Sequence, residues 1–197
     1  ALRADLLFVH HGLYWGKPFA LTGFHADRIK LLFKNELSLY AVHLPLDLHP
    51  EIGNNAGILK MLDFEVGEPF GEYHGIKIGY KGILKYSIKY DDFLARLKKN
   101  LNVTPTGFRF GSDSVSNIAV ISGGGASMIE QIVGTNIDTF ITGESDHVSY
   151  HTAKELGINL VFCGHYATET IGVKNTGRLL EEKFGLETVF LDIPTGM

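Results

Sequence analysis

The chain is poor in the residues and patterns that mark several classes of protein. Its 197 residues include only one cysteine, one tryptophan and six prolines. The single cysteine, Cys163, cannot form a disulfide within the chain, which fits the reducing conditions of the cytosol. Apolar runs are short, and none approaches the roughly 18 residues that a membrane span needs. These absences exclude a disulfide scaffold, and they predict a cytoplasmic protein with no membrane partner.

An excess of positive charge is also missing. The formal net charge is −4, and 45% of the residues are hydrophobic against 20% charged, which is an ordinary globular balance. A nucleic-acid-binding domain usually carries a patch of positive charge on its surface. Because the net charge here is negative, we do not expect nucleic acid as a partner. The length suits one large or two small domains.

Short apolar runs alternate with helical patterns along the chain. The runs that predict strands are 6–9, 37–42, 76–79, 118–121, 139–142, 160–163 and 188–191. The patterns that predict helices are 26–35, 56–62, 91–101, 127–133, 149–156 and 177–184. This alternation predicts an α/β fold with mixed, substantially parallel sheets.

Two parts of the sequence resemble each other. Residues 4–12, ADLLFVHHG, align with residues 137–145, IDTFITGES, and in each case a helical pattern and a second strand follow. The second strands, LSLYAVHLPLD at 37–47 and NLVFCGHYATE at 159–169, both run into His-x-x-x-Asp/Glu. A duplicated unit of this kind would bring equivalent strand ends together around one site.

The duplication predicts how the chain is organised. We expect a first α/β unit at 1–66, a glycine-rich connector and middle segment at 67–116, and a second α/β unit at 117–197, together forming one compact two-lobed protein. The strand at 118–121 has no counterpart in the first unit. We therefore expect a further segment to precede Ala1.

Imidazoles and carboxylates collect where the predicted strands end. The set comprises His10, His11, His43, Asp47, His165 and Glu169, and Glu144 and His147 follow the strand at 139–142. In open α/β sheets, ligands bind beyond the carboxyl ends of the strands. Imidazole with carboxylate suits zinc, iron, manganese or nickel, and five or six ligands serve two such ions better than one.

The charge of such a centre indicates its substrate. Two divalent ions carry more positive charge than Asp47 and Glu169 neutralise, which favours an anionic substrate such as a phosphoester or a nucleotide. Water on such ions is acidified toward neutrality and becomes a usable nucleophile.

Other features allow two interpretations each. The SGGGAS stretch at 122–127 is either a phosphate cradle at a helix N-terminus or a tight turn. His147 and His151 have a metal-binding spacing on a predicted helix, but a polar helix face explains them as well. Tyr14 and Trp15 could stack on a base or pack in a core or an interface. Cys163 lies in an apolar run, which indicates a core residue.

Four motifs together carry a resemblance to a known family. FVHHGLYW, LYAVHLPLDLHPEIGNN, ITGE and GHYATETIGVK resemble the NIF-three-like family of GTP cyclohydrolase I type 2 homologues, in its short bacterial form. The resemblance implies that His10, His11, Asp47, His165 and Glu169 bind two metal ions. His43 also matches a common histidine of the family, and we place it beside the metals as a catalytic residue that is not a ligand. The resemblance also implies a ring-shaped homo-hexamer.

Two classes of function follow. The first is a dinuclear metal-dependent hydrolase, GTP cyclohydrolase-like, that acts on a nucleotide or another anionic small molecule. The alternative is a metal-binding scaffold or regulatory protein that acts through protein partners. An open coordination position with bound water favours the hydrolase, and a site ligated entirely by protein favours the scaffold.

Overall fold

A computed structural model describes residues 3–196 of the chain. The chain divides into two compact units, Ala1–His43 and Leu44–Met197. The boundaries expected at 66/67 and 116/117 remain predictions, and their outermost residues, 1, 2 and 197, lie outside the described part. Within residues 3–196, no helix is both long and apolar enough to cross a membrane.

The first unit is a strand–helix–strand element. Strand β1 (Leu6–Val9) and strand β2 (Ser38–Ala41) pair in parallel, with Leu6 beside Ser38 and Val9 beside Ala41. Helix α1 (Gly23–Lys34) connects them and contains no buried residue. Both strands and the helix were predicted from the sequence to within a few residues at their ends.

The second unit contains the remaining elements. In chain order they are α2 (Leu44–Asp47), α3 (Asn54–Met61), β3 (Glu65–Tyr73), β4 (Ile76–Lys89), α4 (Tyr90–Leu101), β5 (Thr106–Phe108), β6 (Ser114–Ile121), a 3-10 helix (Ala126–Ile132), β7 (Thr139–Thr142), α5 (His147–Leu156), β8 (Asn159–Phe162) and α6 (His165–Phe184). Six strands form one sheet in the order β3-β4-β6-β7-β8-β5. The pairs β6–β7 and β7–β8 are parallel and the other three are antiparallel, so the predicted α/β class with a mixed, partly parallel sheet is confirmed.

Both faces of this sheet are covered. Along β6, Ile118 and Val120 point into a core that includes residues of α3 and α4, whereas Ala119 and Ile121 point into a core that includes residues of the 3-10 helix and α5. Successive side chains of a strand point to opposite faces, so a strand covered on both sides is buried along its whole length. This explains why β7 and β8 are continuous buried runs.

Helix α4 shows how local sequence sets the outer layers. Its buried side chains Phe93, Leu97 and Leu101 recur every four residues and so share one face. Acidic residues occupy its first turn and lysines its last, matching the helix dipole, and the chain leaves the helix through Asn102 in the left-handed conformation.

Several sequence expectations differ from the structure, and the helix expected at 177–184 already begins at His165. The strand expected at 188–191 is wrong: the segment has no strand, and Thr188 bonds instead to the Glu181 carboxylate of α6. The glycine-rich segment expected as a connector with one short strand at 76–79 forms the longer β3–β4 hairpin at the sheet edge. The helix expected at 127–133 is a 3-10 helix.

Candidate metal centre

Three histidines of the first unit form a cluster beyond the ends of its two strands. His10 and His11 follow β1 directly, and His43 lies just after β2. Their ring centroids are 4.9 Å (His10–His11), 5.0 Å (His10–His43) and 5.3 Å (His11–His43) apart. One ligand nitrogen from each lies within 4.8 Å of those of the other two. This histidine cluster is therefore compact enough to hold a metal ion.

A backbone contact orients His10. Its Nδ1 lies 2.9 Å from the carbonyl oxygen of Val42. Because a carbonyl only accepts, Nδ1 carries the proton, and Nε2 is the nitrogen with the lone pair. Metal-binding histidines are commonly held in this way by a bond from the other ring nitrogen.

Trp15 packs against the histidine cluster. Its ring centroid lies 4.8 Å from that of His43 and 5.4 Å from that of His11, with both ring pairs nearly perpendicular. The indole Nε1 donates to the Gly12 carbonyl oxygen over 2.7 Å, which fixes the ring in place. Trp15 thus contacts two of the three imidazoles of the cluster edge to face.

The second unit carries a carboxylate–imidazole group, Glu144, His165 and Glu169. Glu144 lies two residues beyond β7, and His165 and Glu169 lie on the first turns of α6. The chain passes from β8 into α6 through Gly164, whose φ of 84° favours glycine. The sequence predicted that His165 and Glu169 terminate a strand; they belong instead to the helix that follows it. Their spacing of four places both on one helix face.

His165 lies between two carboxylates. Its Nδ1 is 2.7 Å from Glu144 Oε1, and its Nε2 is 2.8 Å from Glu169 Oε2. The hydrogen bond to Glu169 is the main cause that raises the pKa of His165 to about 9, against the opposing effect of burial. Both ring nitrogens therefore carry protons at neutral pH, and each faces a carboxylate oxygen.

Asp47 is held by a buried network. Its Oδ1 accepts from Asn54 Nδ2 and from Ser122 Oγ, each over 2.8 Å. Asn54 is fully buried, and its Oδ1 accepts from the Gly172 amide of α6 over 2.7 Å. These bonds fix Asp47 relative to α6 and to the end of β6.

The SGGGAS loop at 122–127 lies against the carboxylate–imidazole group, at Glu169. Gly123 has a φ of +61°, and a β-carbon there would collide with Glu169 Oε1. Its amide donates to Thr168 Oγ1, and its carbonyl accepts from the Gly143 amide. The helix that a phosphate cradle would need is a 3-10 helix of seven residues, so these contacts favour the tight turn.

Local contacts explain the other candidate residues, His147, His151 and Cys163. His147 and His151 lie on α5 with ring centroids 5.1 Å apart, and Asp146 caps this helix. Cys163 is buried, and burial raises the pKa of its thiol to about 12, as expected for a core residue.

The structure thus brings His10, His11 and His43 together in one unit, and Glu169, His165 and Glu144 in the other. Sequence reasoning noticed Glu144 but did not count it among the ligands, and it missed Asn54 and Ser122. The GNN stretch at 53–55, soon after Asp47, was the available sign of the supporting network.

The fold and these residues define a class of protein. It is an α/β protein whose histidine and glutamate side chains could hold a metal ion. The chain belongs to the Duf34/NIF3 (NGG1p interacting factor 3) family, whose model matches residues 1–196. The family predicted from the motifs is confirmed.

Curated relatives and solved structures agree with this assignment. The chain is 47% identical over 196 residues to a GTP cyclohydrolase 1 type 2 homolog of Pyrococcus horikoshii, covering 99% of this chain and 78% of the relative. The homologue from Pyrococcus abyssi is 44% identical over 198 residues, covering 100% and 79%. The structure of TTHA1606 from Thermus thermophilus matches with a TM-score of 0.90 at 37% identity, covering 99% of this chain and 77% of that one.

Proposed function

We propose that this protein is a dinuclear metal-dependent hydrolase that acts on a nucleotide or a related anionic small molecule. The observation that carries the proposal is the hydrogen bonding of the histidines. Nδ1 of His10 and Nδ1 of His165 each bond to an oxygen acceptor, and Nε2 of His165 lies 2.8 Å from Oε2 of Glu169, the other ligand that we assign on α6. A core histidine does not need this arrangement, whereas a metal ligand commonly has it.

The donor set fits two divalent ions. We assign His10, His11, Asp47, His165 and Glu169 as ligands, with His43 beside them. Imidazole and carboxylate suit zinc, iron, manganese or nickel. Glu169 is the best candidate for a bridge, because a carboxylate can bind one ion with each oxygen and its side chain reaches further than that of Asp47.

The supporting residues explain how the ligands stay in place. Asn54 and Ser122 hold Asp47 by Oδ1, and Glu144 holds His165 by Nδ1. Divalent metal lowers the pKa of bound water toward neutrality and so supplies a nucleophile for hydrolysis. His43 can then hold or move a proton at an imidazole nitrogen without being a ligand.

The relatives' name suggests the reaction to test. A GTP cyclohydrolase opens the purine ring by hydrolysis and releases formate. The net positive charge that two ions retain beside Asp47 and Glu169 would attract the triphosphate of such a substrate. We expect a cytoplasmic homo-oligomer, with a hexamer as the expected form, and light scattering of the full-length protein tests the assembly.

Metal analysis tests the proposal directly. Protein purified without chelators should contain two divalent ions per chain by elemental analysis. His10→Ala and His165→Ala should each lower this content, because each removes a ligand. His74→Asn is the control, since His74 lies in the β3–β4 turn with a φ of 50°, which asparagine tolerates.

Activity is measured on the same samples. The metal-loaded protein should release formate from GTP, and removal of the metal should abolish the release. Two tightly bound ions without hydrolysis of GTP or of other nucleotides would favour the scaffold role, and the absence of bound metal would contradict both roles.

One observation favours a protein-binding role in addition. Helix α1 contains no buried residue, and Phe33, Phe24 and Leu31 on it are 80%, 61% and 60% exposed. Exposed apolar side chains grouped on one element are typical of protein contact surfaces. Light scattering of a Phe33→Ser variant distinguishes self-association, which this change should weaken, from contact with another protein.

A further inference from the structure

Trp15 combines exposure with a fixed position. It is the only tryptophan in the chain, and 51% of its surface is exposed. Its Nε1–H already donates to the Gly12 carbonyl oxygen over 2.7 Å. Tryptophan is usually well buried in folded proteins, so an indole that is held in place yet half exposed calls for a binding role.

The hydrogen bond determines what kind of ligand Trp15 can recognise. Nε1 is the only polar atom of the side chain, and Gly12 already uses its proton. A ligand that reaches Trp15 therefore meets an uncharged aromatic surface, which cannot select for phosphate. Such a surface favours a planar ring, since every nucleobase has a face that stacks on an aromatic side chain.

The position of Trp15 places this surface beside the candidate ligands. The indole lies 5.4 Å from His11 and 4.8 Å from His43, measured between ring centroids. A heterocycle stacked on the indole would therefore lie next to the imidazoles to which we assign metal binding and proton transfer.

We propose that Trp15 stacks on the heterocyclic base of the substrate and so selects a base-bearing nucleotide over other anionic molecules. This inference rests on the proposed function, because it takes the histidine cluster to be part of the metal centre. It adds that different parts of the site recognise different parts of the substrate: the metal charge attracts the phosphates, and Trp15 recognises the base.

The single tryptophan makes the test specific. Zinc-loaded protein is titrated with GTP and, separately, with inorganic tripolyphosphate, while tryptophan fluorescence is recorded. We expect GTP to quench the emission and tripolyphosphate to leave it nearly unchanged. Equal responses to both ligands would overturn the proposal, because the signal would then report the charge at the metal and not the base.

Variants separate stacking from a structural role. Trp15→Leu should weaken GTP binding by about tenfold in calorimetry, within the range of one lost stacking contact, and should leave tripolyphosphate binding unchanged. Trp15→Phe retains a ring and should recover part of the GTP affinity. Tyr14→Leu is the matched control, because Tyr14 is 66% exposed and its ring stacks on Phe19.

Metal analysis and light scattering distinguish a failure of the stacking proposal from a failure of the proposed function. If Trp15→Leu keeps its metal and binds GTP as tightly as the wild type, the stacking role is wrong and the proposed function stands. If the wild type binds no metal at all, the proposed function itself fails. If Trp15→Leu changes the mass measured by light scattering, Trp15 belongs to a subunit interface and the stacking proposal is overturned.

Discussion

The two strand–helix–strand elements of this protein share a pattern and differ in what surrounds them. In the first unit α1 connects the parallel strands β1 and β2, and in the second α5 connects the parallel strands β7 and β8. All four residues of β7 and of β8 are buried, whereas β1 contains no buried residue and α1 contains none either. A similar sequence pattern therefore determines the same local topology, while burial depends on how many layers cover it.

The comparison extends to the polar residues beyond the strands. His165 and Glu169 share the twenty-residue helix α6 and contact each other directly. The corresponding Asp47 ends a helix of four residues and depends on Asn54 and Ser122 for its position. A long helix orients its own polar side chains, and a short one needs partners from elsewhere in the fold.

The largest expected effect is on metal content, and it distinguishes a proposed ligand, Glu169, from a neighbouring imidazole, His43. Glu169→Ala should lower the metal content from two ions per chain to one or none, because it removes the proposed bridge. His43→Ala should keep both ions and reduce only the hydrolytic rate, since its proposed part is proton transfer. Elemental analysis of both variants, together with formate release, measures the two effects.

Either variant can contradict this assignment. Two tightly bound ions in Glu169→Ala would show that Glu169 does not bridge them. Loss of metal from His43→Ala would make His43 a ligand, which its distance from His10 and His11 allows.

The next effect concerns the loop beside Glu169. Gly123→Ala should weaken metal binding because the new methyl group displaces the Glu169 carboxylate. We expect a loss of about 10–100-fold in affinity, as is usual when a residue that supports metal ligands is changed. Gly123→Ala should also destabilise the fold by about 1–2 kcal/mol through its positive φ.

Gly134→Ala is the control for that change. Gly134 also has a positive φ, of +77°, but an added β-carbon has no atom within 4 Å. It should therefore lose stability and keep its metal affinity. Equal metal affinity in the two variants would show that the collision with Glu169 is harmless.

The buried asparagines allow a third test. Asn54→Ala removes the bonds to Asp47 and to the Gly172 amide and should cost about 1–3 kcal/mol in denaturant unfolding. It should also weaken metal binding about tenfold or more. Asn55→Ala should be similarly unstable, because Asn55 bonds to Ile78 and Ser122. Since Asn55 touches only the backbone carbonyl of Asp47, its loss should affect metal binding much less.

The smallest effect is the pH dependence of the metal-free protein. The pKa of His165 is about 9 in the fold against an ordinary value of 6.5. Its contribution to stability is therefore fully present below pH 6.5 and is lost as the pH rises through about 9. Thermal unfolding across this range should show a decline in Tm that His165→Gln reduces, and an identical decline in the variant would exclude His165 as its source.

Several elements could be predicted from the sequence because their signals are local. The strands 6–9 and 139–142 were predicted with the bounds that the structure has, and α4 was predicted to within one residue. Apolar runs and four-residue spacing depend only on neighbouring residues. The donor residues were also recognisable, because imidazole and carboxylate keep their chemistry in any fold.

The strand at 76–79 was predicted, but the rest of the β3–β4 hairpin was missed because its glycines serve packing. A β-carbon at Gly79 would collide with the Val120 carbonyl oxygen, and one at Gly82 would collide with Leu59. The sequence suggests a connector with one short strand, but the glycines allow neighbouring parts of the chain to approach closely. Such a contact joins residues that are distant in sequence, so composition could not reveal it.

The sequence by itself determined the α/β class, the strand–helix–strand units and the residues able to bind metal. The tertiary structure decided how these side chains are oriented and which of their atoms form hydrogen bonds. The Val42 carbonyl sets the tautomer of His10, Glu144 binds Nδ1 of His165, and Asn54 reaches Asp47 across seven residues. Hydrogen bonds act only at contact distance and in a given direction, and the folded chain alone brings these partners that close.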